Sequence, residues 1–137
     1  MQNTIKLMRL SLGIIFVWYG MLKFFPTLSP AEDLAIKTID IMFFNLIDGS
    51  LSIKLLAMLE VAIGIGFLSG FYTKIVTIIF LGHMVCTFAP LFLLPEFCFT
   101  QAPYAFTLVG QYIVKNIVFI LVGIIIYQNE LAKETRD

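Results

Sequence analysis

Apolar side chains run along this chain in four long stretches, and the polar residues that interrupt them are as informative as the stretches. The first covers 5–25, with Lys6 and Arg9 at its start and Lys23 near its end. The second, 51–70, is broken by Lys54 near its start and by Glu60 inside it. The third, 75–94, carries no charge and a single imidazole, His83, and stops at Pro95. The fourth, 106–127, contains Lys115, the only charge between Glu96 and Glu130. Each stretch is about 20 residues, which at about 1.5 Å per residue crosses a hydrocarbon core of about 30 Å as a helix. The first could be mistaken for a secretion signal, but no small-x-small cleavage site follows it. Its end, Trp18, Tyr19, Lys23, Phe24 and Phe25, is the amphipathic, aromatic kind that settles at a membrane interface. It reads as an uncleaved span.

Between the first two stretches the pattern changes. Ser29-Pro30-Ala31-Glu32 offers a capping serine, proline at the first helical position and a glutamate to bond back, so a helix is expected to start there. Leu34, Ile36, Ile39, Met42, Phe43, Leu46 and Ile47 then recur at helical spacing against Glu32, Asp33, Lys37 and Asp40. An amphipathic helix over about 30–47 follows, either lying along the membrane surface or packed on the mouth of a bundle. The fold expected is therefore all-α: an integral membrane four-helix bundle in a single transmembrane domain over 1–137, with an additional amphipathic helix on its outer face. No internal repeat or low-complexity segment interrupts it.

Composition sharpens this picture. Hydrophobic residues make up 60% of the chain and charged ones 13%, against roughly 25% charged in soluble domains. Lipid is the solvent such a chain needs. Nine basic and nine acidic side chains cancel, which removes the electropositive footprint of a nucleic-acid binder. Cys86 and Cys98 are too few for a disulfide framework and lack the spacing of a zinc or redox pair; given their expected heights, a free state and a disulfide both stay open. One histidine cannot clamp a haem between two imidazoles within one chain. No metal site and no covalently held cofactor is expected. Lys6, Arg9, Lys74, Lys133 and Arg136 fall on one side of the four spans and Lys37 and Lys54 on the other. By the positive-inside rule both termini are expected in the cytoplasm of a multi-pass protein.

Ionisable groups within the bilayer cost several kcal/mol and mark candidate sites. Counted inward from the outer span ends by helical rise, Glu60 lies about 12 Å deep, Lys115 about 14 Å and His83 about 16 Å. Gln111 stands one turn outward of Lys115 on the same helix face, and Asn116 adjoins it. A buried polar cluster of Glu60, His83, Gln111 and Lys115 is therefore expected in the outer half of the bundle. Two readings stay open for it. Glu60 and Lys115 could pair only to cancel each other's burial cost, with Gln111 and Asn116 as interhelical glue. Alternatively the cluster binds a polar head group, with Glu60 and His83 passing protons. Lys23, near the outer boundary, is read as a lysine snorkelling to head groups or as a further site residue. Gly66 and Gly70 form a GxxxG pair that could mark close helix packing.

A family resemblance then emerges from Arg9-Leu10 through Trp18-Tyr19-Gly20 to Lys23-Phe24, Ser29-Pro30-Ala31-Glu32, Leu59-Glu60 to Gly64 and Gly66, and Gly110-Gln111-Tyr112 to Lys115-Asn116. In order and spacing these segments resemble DoxX-like membrane proteins over about 5–127. The resemblance implies a four-span protein of the bacterial inner (plasma) membrane, related to the membrane subunit of an archaeal thiosulfate:quinone oxidoreductase. It implies a quinone-interacting or redox-associated membrane subunit, with ligand-binding candidates at Lys23, Glu60, Gln111, Lys115 and Asn116; His83 joins them on depth alone. Quinone would be the lipid-soluble carrier, a redox partner protein would supply the electron chemistry, and the reading leaves room for a homo-oligomer. The thiosulfate enzyme brings an additional soluble region as a second component, which is not found in this sequence, so the resemblance leaves thiosulfate chemistry open. A non-enzymatic assembly protein and a small transporter are the competing readings, and whether the chain is an enzyme is left open.

Overall fold

The computed structural model describes residues 2–25, 28–29 and 32–135. Helices α1 (Gln2–Leu22), α3 (Gly49–Ser69), α4 (Thr73–Cys86) and α7 (Leu108–Glu134) form an all-α bundle. Four segments, Gln2–Leu22, Gly49–Ser69, Thr73–Leu93 and Leu108–Glu134, are long and apolar enough to cross a membrane. Large apolar side chains such as Leu7, Ile14, Ile65, Ile78, Val85 and Val118 point outward from every span. A helix that is hydrophobic on all sides needs lipid around it.

Glycines set the closest seam. A Cβ on Gly64 would lie 2.6 Å from the backbone nitrogen of Val17, and one on Gly13 3.0 Å from the carbonyl of Gly64. Together with Gly20 against Glu60 and Val61 they bring α1 and α3 into backbone contact. The expected Gly66–Gly70 pair does not do this. Gly66 faces the side chain of Val76, and Gly70 closes α3 in a left-handed conformation (φ 78°) beneath the guanidinium of Arg9. Only a residue without Cβ fits there.

Arg9 Nη1 reaches Thr73 Oγ1 at 3.5 Å, and Lys74 pairs with Glu134 at 2.7 Å. These contacts gather the α3–α4 turn, the first half of α1 and the end of α7 at one end of the bundle, the termini end. The opposite end carries α2 (Glu32–Met42), the short helices α5 (Pro90–Leu93) and α6 (Pro95–Cys98), and a hairpin of β1 (Phe99–Gln101) and β2 (Ala105–Phe106). Asp48 caps α3 by accepting from the Ser50 amide, and Thr107 caps α7 by accepting from Gly110.

Three details depart from the sequence pattern. Helix α2 ends at Met42 rather than near residue 47, because Phe44 and Asn45 turn to left-handed φ (53° and 56°). Of its expected capping signature, Pro30 and Ala31 lie outside the described residues. The third span is not continuous: α4 stops at Cys86 and the chain turns through Thr87–Ala89. Pro90 has no N–H for the Cys86 carbonyl, which the Ala89 amide takes instead at 3.0 Å. The hairpin, finally, occupies the connection between the third and fourth apolar stretches, for which the pattern predicts no element, with Phe99 and Phe106 ring centroids 4.8 Å apart.

Two cores result. Leu12, Phe16, Ile63, Phe67, Phe80, Met84 and Ile126 fill the bundle toward the termini end; the Phe80 ring meets Phe16 and Phe67 edge-on at 5.1 and 5.3 Å. Leu34, Leu94, Cys98 and Ile113 form a smaller one at the α2 end. Helix α2 therefore packs on the bundle mouth, and Lys37 lies 4.3 Å over the Phe97 ring.

Candidate functional site

Glu60 sits between Lys23 and His83. Its Oε2 accepts from Lys23 Nζ at 2.6 Å, and its Oε1 lies 3.4 Å from His83 Nε2. All three side chains are largely buried, at 11% exposure for Lys23, 12% for Glu60 and 7% for His83. The α1–α3 seam explains the first contact. Gly20 packs on Glu60 itself, so α1 ends beside Glu60, and Lys23 follows its last helical residue within reach of the carboxylate. The second comes from α4, where His83 stacks edge-on to Phe16 at 5.8 Å. A carboxylate with a partner on each oxygen is one of few ways a charge persists inside a span.

Beside this triad lies a cavity of about 160 Å³ between α1, α4 and α7. Its walls are Ile15, Phe16, Met84 and Phe119, its polar groups Glu60, His83, Thr87 and Asn116, and Tyr19, 55% exposed, stands at its edge. Asn116 Nδ2 donates to Thr87 Oγ1 at 3.1 Å, while Thr87 itself donates to the Met84 carbonyl. The break after α4 thus places a hydroxyl and an amide on the cavity wall. Apolar walls with a few convergent polar groups are the ordinary make-up of a small-molecule site.

Of the four residues expected to cluster, the structure brings Glu60 and His83 together, with Asn116 on the same cavity wall, while Lys115 and Gln111 do not join them. Lys115 adjoins Asn116, and successive helical residues point about 100° apart, so turning Asn116 into the cavity turns Lys115 out. Its ammonium lies 5.5 Å from the Tyr112 ring, without an ion-pair partner among the described residues; Gln111, one turn away, is exposed on the same face. Lys23 takes the place expected of Lys115, and it does not snorkel to head groups. Thr87 and Tyr19 escaped the sequence reading. Thr87 is four residues past His83 and Tyr19 four before Lys23, the same-face spacing that would have flagged both.

Among the described residues no group of three or more His, Cys, Asp or Glu could hold a metal ion. Both cysteines are free, Cys98 buried and Cys86 exposed. The family model of DoxX matches residues 4–94, a stretch that contains Lys23, Glu60 and His83 but not Asn116. No curated protein and no solved structure matches the chain.

Proposed function

The chain belongs to the DoxX family of membrane proteins, and from that premise we propose that it is a quinone-binding membrane subunit whose electron chemistry is carried by a partner protein. The cavity supports this reading. At about 160 Å³ it matches the size, about 150 Å³, at which an engineered protein cavity takes up a benzene ring. Its position within the spans suits a ligand that arrives through lipid. If Nε2 of His83 donates to Glu60, Nδ1 is left as an acceptor for a quinol hydroxyl. The second N–H of Asn116 is available to a quinone carbonyl.

Titration of the purified protein with menaquinone and ubiquinone analogues tests it. Saturable binding is expected, weakened about tenfold or more by Glu60→Gln and by His83→Ala, since a lost buried hydrogen bond is worth about 1.4 kcal/mol. Lys115→Met should leave it unchanged. Absent binding, or binding indifferent to the cavity variants, overturns the proposal.

The same reading places the chain in a bacterial plasma membrane with the termini cytoplasmic. Lys6, Arg9, Lys74 and Lys133 crowd the termini end, with Arg136 outside the described residues, against Lys37 and Lys54 at the other. One observation favours a second, non-enzymatic role in assembly: Gln111 and Lys115 present a polar stripe on the lipid-facing side of α7. Crosslinking in native membranes decides this. A stable heteromeric partner, lost on Lys115→Met and indifferent to quinone, would favour assembly.

A further inference from the structure

The two ends of the bundle treat the Lys23–Glu60–His83 triad differently. Toward the termini end it is backed by Phe16, Phe67, Phe80 and Ile126, the last three without any solvent contact. Among the described residues the buried polar side chains of that half are Thr77 and Thr73, whose hydroxyls donate to the carbonyls of Thr73 and Gly70 and are not aimed at the triad. In the other direction Glu60 hands on to Lys23, which sits past the last turn of α1 and retains some exposure. The smaller apolar core there is drawn from α2, the segment after α4, and α7; it includes no residue of α1 or α3, between which Lys23 lies.

We propose that the cavity exchanges protons with water at one end of the molecule only, the end carrying α2 and the hairpin, through Lys23 and Glu60 to His83. Lys23 passes a proton to the Glu60 carboxylate, which gives a neutral pair. In the His83 tautomer that carries its hydrogen on Nδ1, Glu60 passes that proton to the free Nε2 facing it, and Lys23 regains one from water. One proton has moved from water to the imidazole, and Lys23 and Glu60 are as they began. Besides these three, Tyr19 is the titratable side chain on the cavity wall. This deepens the quinone reading by naming the side from which a carrier's protons come, and the test below uses no quinone, so the two can fail separately.

The test uses the full chain, with Cys86→Ser, Cys98→Ala and a protease-cleavable tag at its end to report orientation, in sealed vesicles. Lys23→Cys with Glu60→Gln places a thiol at the head of the path without orphaning a charge, and a membrane-impermeant sulfonated methanethiosulfonate is added to either side. That thiol should react at least about tenfold faster from the α2 side than from the termini side. Equal rates, faster reaction from the termini side, or a thiol inert from both sides overturns the proposal. Should that variant not fold, Lys23→Cys with Glu60→Leu takes its place.

Discussion

Lys23 and Glu60 hold each other across the α1–α3 seam at 2.6 Å, and each would be a poor tenant of the membrane alone. Lys23→Met leaves a buried carboxylate with only the more distant His83, and should cost about 3–5 kcal/mol. Lys23→Met combined with Glu60→Gln should recover most of that loss, and unfolding by SDS titration from detergent micelles measures both. Depth along a helix can be counted from its ends, which is why Glu60 and His83 were expected at one level and stand together in the structure. Rotation cannot be counted that way: one residue separates inward Asn116 from outward Lys115, and Lys23 stands where Lys115 was expected. Cys98 supplies a second test at this scale. Burial and the nearby Glu96 push its thiol above the ordinary value of 9.0. Less thiolate is then present at neutral pH, so N-ethylmaleimide should modify Cys98 at least about tenfold more slowly in the folded Cys86→Ser protein than in the same chain unfolded in SDS. Its rate should climb as pH rises toward that raised value; equal rates at pH 7 would contradict the buried setting.

Helix seams decide where those side chains land. Gly64→Ala forces a methyl against the Val17 backbone, which cannot yield as a side chain tip would, and should cost about 1–3 kcal/mol. Gly82 meets nothing within 4 Å, so Gly82→Ala should be neutral or stabilising by up to about 1 kcal/mol through helix propensity. Thermal unfolding of the two variants in the same detergent checks the contrast. All four spans were legible as elements, since hydropathy over twenty residues is a long signal. Seams were not: GxxxG spacing pointed to Gly66 and Gly70, whereas the contact uses Gly13, Gly20 and Gly64, whose partners lie on another helix. The break before Pro90 was not read from the sequence, because residues after a break can stay apolar and the pattern ran on to Leu94. The hairpin over 99–106 is too short for alternation to register.

Taken whole, the molecule is asymmetric along its axis, polar and irregular at the α2 end, apolar and regular toward the termini. The charged connections set the two ends apart in the sequence, but nothing there showed that aromatic rings would fill one half so completely, because ring stacking joins residues far apart in the chain. The depth of His83 has an electrical consequence. A unit charge crossing the whole membrane voltage does work of about 2.3 kcal/mol per 100 mV, and His83, about 16 Å below the outer span ends by helical rise, lies about halfway. A proton that reaches it from the α2 end therefore crosses about half the voltage. Ligand binding that takes up such a proton should change by about 1 kcal/mol per 100 mV in vesicles polarised with potassium and valinomycin, and a voltage-independent affinity would contradict it.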